Sequence, residues 1–213
     1  MIIDLHSIIR EEKIQPQGVI HIGAHTGSEL SLYEEISFKR VLMIEANPDV
    51  FQHLTTLKSD ICDLISLNVA VSDKKGTAPF YITSDGKGEG EMSSSLLKLK
   101  EHKALYPDIY QDKTIETKTD RLDDILKANN LPYENYNMIN IDIQGAELMA
   151  FKGSTKILPN IDIINTEINK TELYEGCTLL DELESFLSER GFYKHTEFCK
   201  YDPEWGDAVF LKK

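Results

Sequence analysis

Cysteine is scarce in this 213-residue chain. Cys62, Cys177 and Cys199 are odd in number, far apart and outside any metal-ligand spacing, which argues against a disulfide framework or a zinc cluster. Thiols so placed read as core or incidental residues in a reducing compartment, and a cytoplasmic location is expected. Basic charge is short as well: Lys and Arg number 23 against 36 Asp and Glu, a net charge of −13. That balance argues against nucleic acid or an anionic membrane surface as a partner of the whole field, and suits a small-molecule or glycan acceptor. No apolar run approaches the roughly 18 residues of a membrane-spanning helix. The first residues lack the basic-then-apolar order of a signal peptide and instead predict an amphipathic helix within 1–15, with Ile2, Leu5, Ile8 and Ile9 on one face. No internal repeat is visible. What remains is a globular composition, 41% hydrophobic and 28% charged, suited to one domain over 1–213.

The pattern of that domain is set at 18–30, where an apolar strand enters the turn Gly23-Ala24-His25-Thr26-Gly27 and a helix follows near 27–37. Glycines at such a turn let backbone approach a ligand, and the helix start favours anionic atoms. A nearly all-apolar second strand, 40–46, leads through Asn47-Pro48 into a helix. The pair is a capping residue followed by proline at the first helical position. A third strand is expected to end at 67–71. Strand alternating with helix predicts an α/β fold with a parallel sheet. The rhythm breaks in the middle, where 79–83 reads as a short edge strand because of Pro79, and 84–95 as a long loop beside the site. Ser93, Ser94 and Ser95 are expected to cap a helix over 96–105, so that 84–113 forms a substrate-side loop and helix. Alternation then resumes with strands at 114–119, 137–143 and 161–168, helices from about 120, 145 and 179, and two closing antiparallel strands at 192–199 and 207–212.

Glu45 ends the second strand, 22 residues after Gly23, the place from which a carboxylate accepts hydrogen bonds from a ribose diol. The turn lacks the middle glycine of G-x-G-x-x-G that admits a pyrophosphate. A ligand with one nucleoside and a small charged tail fits better, and S-adenosyl-L-methionine is such a ligand. Its amino-acid end would lie on the 23–27 turn, and its adenine in a slot made by Asn68, Val69 and Ala70. An NAD(P)-dependent oxidoreductase shares the glycine turn and the acid, and a non-enzymatic binding module could keep the same fold; both stand as alternatives.

The stretches Val19-Ile-His-Ile-Gly-Ala-His-Thr-Gly27, Ile44-Glu-Ala-Asn-Pro48, Asn68-Val-Ala-Val-Ser-Asp73 and Ser93-Ser-Ser-Leu96 are followed by three more. These are Thr119-Asp-Arg-Leu-Asp-Asp-Ile-Leu126, Ile139-Asn-Ile-Asp-Ile-Gln-Gly-Ala-Glu147 and Thr166-Glu-Ile-Asn169. Together, and in this order, they resemble the FkbM family of S-adenosylmethionine-dependent methyltransferases over about 18–170. The resemblance implies a Rossmann-like class I methyltransferase fold. Its sheet would be mainly parallel and seven-stranded, of order 3-2-1-4-5-7-6, with an antiparallel C-terminal hairpin and helices on both faces. It implies S-adenosyl-L-methionine as cofactor, held by Gly23, Ala24, His25, Gly27, Glu45, Ala46, Asn68, Val69, Ala70, Ser94 and Asp142, and O-methylation of a sugar or secondary-metabolite hydroxyl. The chain departs from the family at His21, where Asp is usual, and at Gln144, where Glu is frequent.

Methyl transfer to a hydroxyl is an in-line displacement in which the acceptor must lose its proton, and a carboxylate of raised pKa can take it. Asp142, at the end of the fourth parallel strand, is the first candidate base, followed by Glu147 and Glu167. His25 and His195 are outside choices. Asp142, Glu167 and Asn169 could instead hold Mg²⁺ as oxygen ligands at adjacent strand ends; no metal ligand is assigned. Tyr106, Tyr110 and Trp205 are candidates to stack on a sugar face.

Overall fold

A computed structural model describes residues 3–87 and 90–213; Ile2 and two residues of the expected long loop lie outside the described residues. The helices are α1 (Leu5–Glu11), α2 (Leu30–Ile36), α3 (Pro48–Thr56), α4 (His102–Leu105), α5 (Leu122–Ala128), α6 (Glu147–Lys152) and α7 (Leu180–Ser188). The strands are β1 (Gly18–Ile22), β2 (Arg40–Glu45), β3 (Asp63–Asn68), β4 (Ala70–Val71), β5 (Gly76–Ser84), β6 (Tyr110–Asp120), β7 (Met138–Ile141), β8 (Ile163–Asn169), β9 (Phe192–Asp202) and β10 (Trp205–Lys212).

Seven strands form one sheet of order β3-β2-β1-β7-β8-β10-β9. The first five pair in parallel, and β10 runs antiparallel to both β8 and β9. Counted along the chain within this sheet, the order is the expected 3-2-1-4-5-7-6. Strand periodicity sorts the two faces. Ile20, Ile22, Leu42, Ile44, Ile139, Ile141, Ile164 and Ile168 pack with α5, α6 and α7, whereas Val19, Val41, Met43, Met138, Ile163 and Val209 pack with α1, α2 and α3. The second face turns polar toward the carboxyl ends of the strands, where His21, Asn140, Asn165, Glu167 and Asn169 continue the rows begun by Val19, Met138 and Ile163. A second sheet, of order β4-β6-β5, stands beside the first.

Two local expectations give way to tertiary contacts. The third strand stops at Asn68, because its side-chain Nδ2 donates to the carbonyls of Glu45 (2.8 Å) and Ala46 (3.3 Å) at the end of β2. Ala70 and Val71 then leave the main sheet and pair with β6. The expected helix over 96–105 shrinks to α4, and Ser95 does not cap it. Its Oγ donates instead to the carbonyl of Gln144 at 2.9 Å, and the Lys100 amide donates to the Leu173 carbonyl at 2.8 Å. The segment is thereby tied across to 143–144 and 173, which removes the amides a helix would use. Local signals are otherwise kept: Asn47 Oδ1 accepts from the Asp49 amide at 3.0 Å with Pro48 at the first helical position, and Pro79 lies in the edge strand β5.

Candidate active site

A cleft of about 390 Å³ opens at the carboxyl ends of β1, β2 and β7, the edge at which open parallel sheets bind ligands. Gly23, Ala24, His25, Glu45, Ala46, Val69, Ala70, Ser94 and Asp142 all line it. Gly27, Asn68, Glu147 and Glu167 lie behind that wall. Gly27 packs against α3, where an added Cβ would stand 2.5 Å from Leu57 Cδ1, and Asn68 closes the end of β2. His195 is also off the wall, with its Nδ1 4.0 Å from Glu12.

The turn after β1 is fixed from within. Gly23 has φ +80°, and a Cβ there would come within 1.8 Å of the Asp142 carbonyl, so only glycine lets the turn after β1 touch the turn after β7. The amides of Gly23 and Ala24 both donate to the Ile44 carbonyl, at 2.9 and 3.0 Å. The buried Glu45 holds the next residues: its Oε2 accepts from the His25 amide at 2.9 Å and its Oε1 from the Asn47 amide at 2.7 Å. Burial pushes this carboxyl up, and the backbone donors partly oppose that. Each oxygen keeps acceptor capacity for a ligand hydroxyl. Val69, Ala70, Val71 and Phe80 form an apolar wall beside it, and His25 Nε2 is buried without a partner among the described residues. A buried acid with acceptor capacity to spare, an apolar slot and an unpaired polar atom on one wall fit S-adenosyl-L-methionine.

His21 stands where the family usually carries an acid. Asn140 Nδ2 donates to the Tyr33 hydroxyl at 2.7 Å, which leaves that hydroxyl to donate to His21 Nδ1, 3.1 Å away. The imidazole is therefore neutral, in keeping with burial that lowers it to about 4. Asn165 Nδ2 donates to Asn140 Oδ1 at 2.7 Å and extends this uncharged row across three strands.

Acidic groups gather beyond the row. Asp142 faces the cleft with its side chain open to solvent, and partial desolvation by the cleft around it, with Asp207 nearby, raises its carboxyl to about 6 against the opposing hydrogen bond from Gln144. Glu147 is buried and raised to about 7 by burial and Asp142; its Oε1 accepts from the amides of Ile143 (3.1 Å) and Gly145 (3.2 Å) and shapes the turn. Burial together with Asp142 and Glu147 pushes the Glu167 carboxyl well above the usual carboxylate range. Gln144 links the group: its Nε2 donates to Asp142 Oδ1 at 2.7 Å and to Glu167 Oε1 at 3.2 Å. Among the described residues no group of three or more His, Cys, Asp or Glu side chains is disposed to hold a metal ion.

At the mouth, Tyr201 stacks on Trp205 with ring centroids 6.1 Å apart and planes at 27°, and the indole Nε1 donates to Tyr106 Oη at 2.9 Å. Tyr110 begins β6, exposed and away from the wall. Asn140, Asn165, Lys200, Tyr201 and Asp207 also line the cleft and were not singled out in the sequence. The polar alternation Asn165-x-Glu167-x-Asn169 along one face of the strand was the available signal for Asn165.

The family model for the methyltransferase FkbM domain matches residues 21–193. Over 176 residues the chain is 30% identical to the 2-O-methyltransferase NoeI of Sinorhizobium fredii, covering 79% of this chain and 71% of that protein. The solved structure of magnesium protoporphyrin IX methyltransferase (ChlM) from Synechocystis PCC 6803 with bound SAM aligns with a TM-score of 0.52. It covers 99% of this chain and 77% of that one at 7% identity, a likeness of fold alone.

Proposed function

The chain belongs to the FkbM methyltransferase family and is an S-adenosyl-L-methionine-dependent methyltransferase, and on that premise we propose that it methylates a hydroxyl of a sugar or secondary metabolite, with Asp142 as the base. Membership decides against the nicotinamide oxidoreductase and the non-enzymatic module. The observation that carries the reading is Asp142: of the three candidate carboxylates, it is the one on the cleft wall. The name of the Sinorhizobium fredii relative, a 2-O-methyltransferase, supports a hydroxyl oxygen as acceptor. The Tyr201–Trp205 stack supports a sugar, whose C–H faces pack on aromatic rings. The acidic chain supports an uncharged small acceptor over nucleic acid, and three free cysteines support a reducing, cytoplasmic setting. We read all the described elements as serving one methyltransferase domain.

When bound, S-adenosyl-L-methionine supplies an electrophilic methyl group. Glu45 would accept from its ribose, with Ala46, Val69, Ala70 and Ser94 around the adenosine and the 23–25 turn and Asp142 near the amino-acid end. Gln144 occupies Asp142 Oδ1, which leaves Oδ2 to take the proton from the acceptor hydroxyl. A carboxyl near 6 is ionised at neutral pH yet basic enough to hold that proton. Alignment of the two reactants is expected to contribute most of the acceleration.

The test is Asp142→Asn, assayed for transfer of labelled methyl to a panel of methyl pyranosides, with S-adenosylhomocysteine binding measured by calorimetry. Turnover should fall roughly 10²–10⁴-fold, far more than any loss of product affinity. Undiminished turnover would move the base to another residue.

A further inference from the structure

Under the acceptor end of the cleft lie buried polar atoms for which the fold supplies no partner. Asn169, 1% exposed, has neither its amide oxygen nor its amide nitrogen hydrogen-bonded among the described residues, and the same holds for Oε2 of Glu167, 4% exposed. Both side chains leave β8 on the face that carries Asn165, since strand side chains alternate, and Asn165 lines the cleft. Across the antiparallel ladder Asn169 stands opposite Trp205 and Glu167 opposite Asp207, and both of those partners line the cleft. Three orphaned atoms on two residues of one strand face are costly, because a buried polar group without a hydrogen bond loses its hydration for nothing. Apolar side chains would fill the same positions without that cost, as Ile164 and Ile168 do on the opposite face.

We propose that Asn169 and Glu167 form the floor of an acceptor subsite that takes a pair of hydroxyls of an uncharged pyranose ring, with the Tyr201–Trp205 pair against the ring. The proposal rests on the reading of the acceptor as a sugar hydroxyl. The Asn169 amide offers a donor and an acceptor from one residue, and the unpartnered Oε2 of Glu167 adds a third position beside it, which suits hydroxyls that both give and receive. Trp205 is held in place by the Tyr106 hydroxyl, while Tyr201, 65% exposed, presents its ring to solvent at the entrance. Asp142, Glu147 and Asp207 surround the floor with acids, which disfavours an acceptor bearing phosphate or carboxylate. In this structure both floor residues are buried, with Trp205 directly across the ladder from Asn169, so sugar entry requires the protein over them to move.

The experiment uses the full chain saturated with S-adenosylhomocysteine and a set of methyl pyranosides as probes, with binding read by saturation-transfer NMR and stability by thermal unfolding. Asn169→Leu removes the orphaned amide while keeping bulk. It should weaken pyranoside binding by about tenfold or more, leave S-adenosylhomocysteine affinity unchanged, and leave the unfolding temperature equal or higher. Asn169→Ser, which puts a single hydroxyl in place of the amide pair, should show the same loss and serves if the leucine variant does not fold. Wild-type pyranoside affinity in either variant, with a lowered unfolding temperature, would show a structural amide satisfied by water and overturn the subsite alone. No pyranoside binding by the wild type would overturn the subsite together with the sugar reading beneath it.

Discussion

Gln144 Nε2 lies 2.7 Å from Asp142 Oδ1, donated from a residue whose φ of +58° puts its backbone in the left-handed region. A non-glycine residue there is held by its surroundings. The surroundings are specific: Ser95 Oγ donates to the Gln144 carbonyl, and the Tyr174 hydroxyl donates to its Oε1. With its oxygen so occupied, the amide turns its nitrogen toward the two acids. Three chain segments thus converge on the residue at which the family often carries Glu.

Gln144→Glu should therefore move the pH dependence of turnover. Asp142 must be ionised to accept a proton, so activity falls as pH drops through about 6. The substitution removes the donor that lowers this value and adds a negative charge beside it, so the acidic limb should shift upward by about one unit. A pH–rate profile for the variant and the wild type checks this. Superimposable acidic limbs would separate Gln144 from the base.

Glu45→Gln tests the cofactor wall. Glu45 accepts a backbone N–H on each oxygen, and an amide keeps one acceptor oxygen while setting an NH₂ against the other N–H. Affinity for S-adenosylhomocysteine by calorimetry should fall by about 1–3 kcal/mol, and the unfolding temperature should fall too. A drop in stability with unaltered affinity would leave Glu45 as a latch of the turn only.

The three acids around Gln144 also set a pH dependence of stability, chiefly through the buried Glu147 and Glu167. Asp142, Glu147 and Glu167 are raised in the fold, to about 6, about 7 and well above the ordinary value. Between the unfolded and folded values the native chain holds protons that the unfolded chain releases, so their contribution is full at low pH and is lost as pH rises. His21 and His102, both lowered to about 4, act in the opposite sense, adding stability as pH climbs from about 4 to 6.5. Above 6.5 only the acids remain in play, and stability should decline toward pH 8. Urea titrations of Glu167→Gln over that range should give a shallower decline, by at most about 1.4 kcal/mol per pH unit. Equal slopes in variant and wild type would assign the decline to other groups.

What the sequence determined by itself was everything carried by local period and local chemistry. Apolar strands alternating with amphipathic helices required a parallel sheet. Gly23 and Glu45 marked the edge where the cleft opens, Asn47-Pro48 started α3, and the ordered motifs from Val19 to Asn169 pointed to the sheet order and the cofactor. Tertiary structure decided which of the marked residues face the cleft. Asp142, Glu147 and Glu167 read alike as acids near strand ends, yet one lines the wall, one folds its oxygen back onto the Ile143 and Gly145 amides, and one is buried beneath Gln144. The helix expected after Ser95 was lost for the same reason, since its hydroxyl and the Lys100 amide found partners 49 and 73 residues away. Period 2 and period 3.6 report which side of an element a residue takes. They carry no information on which distant segment will cover that side, and it is the cover that separates an acid on the cleft wall from an acid in the core.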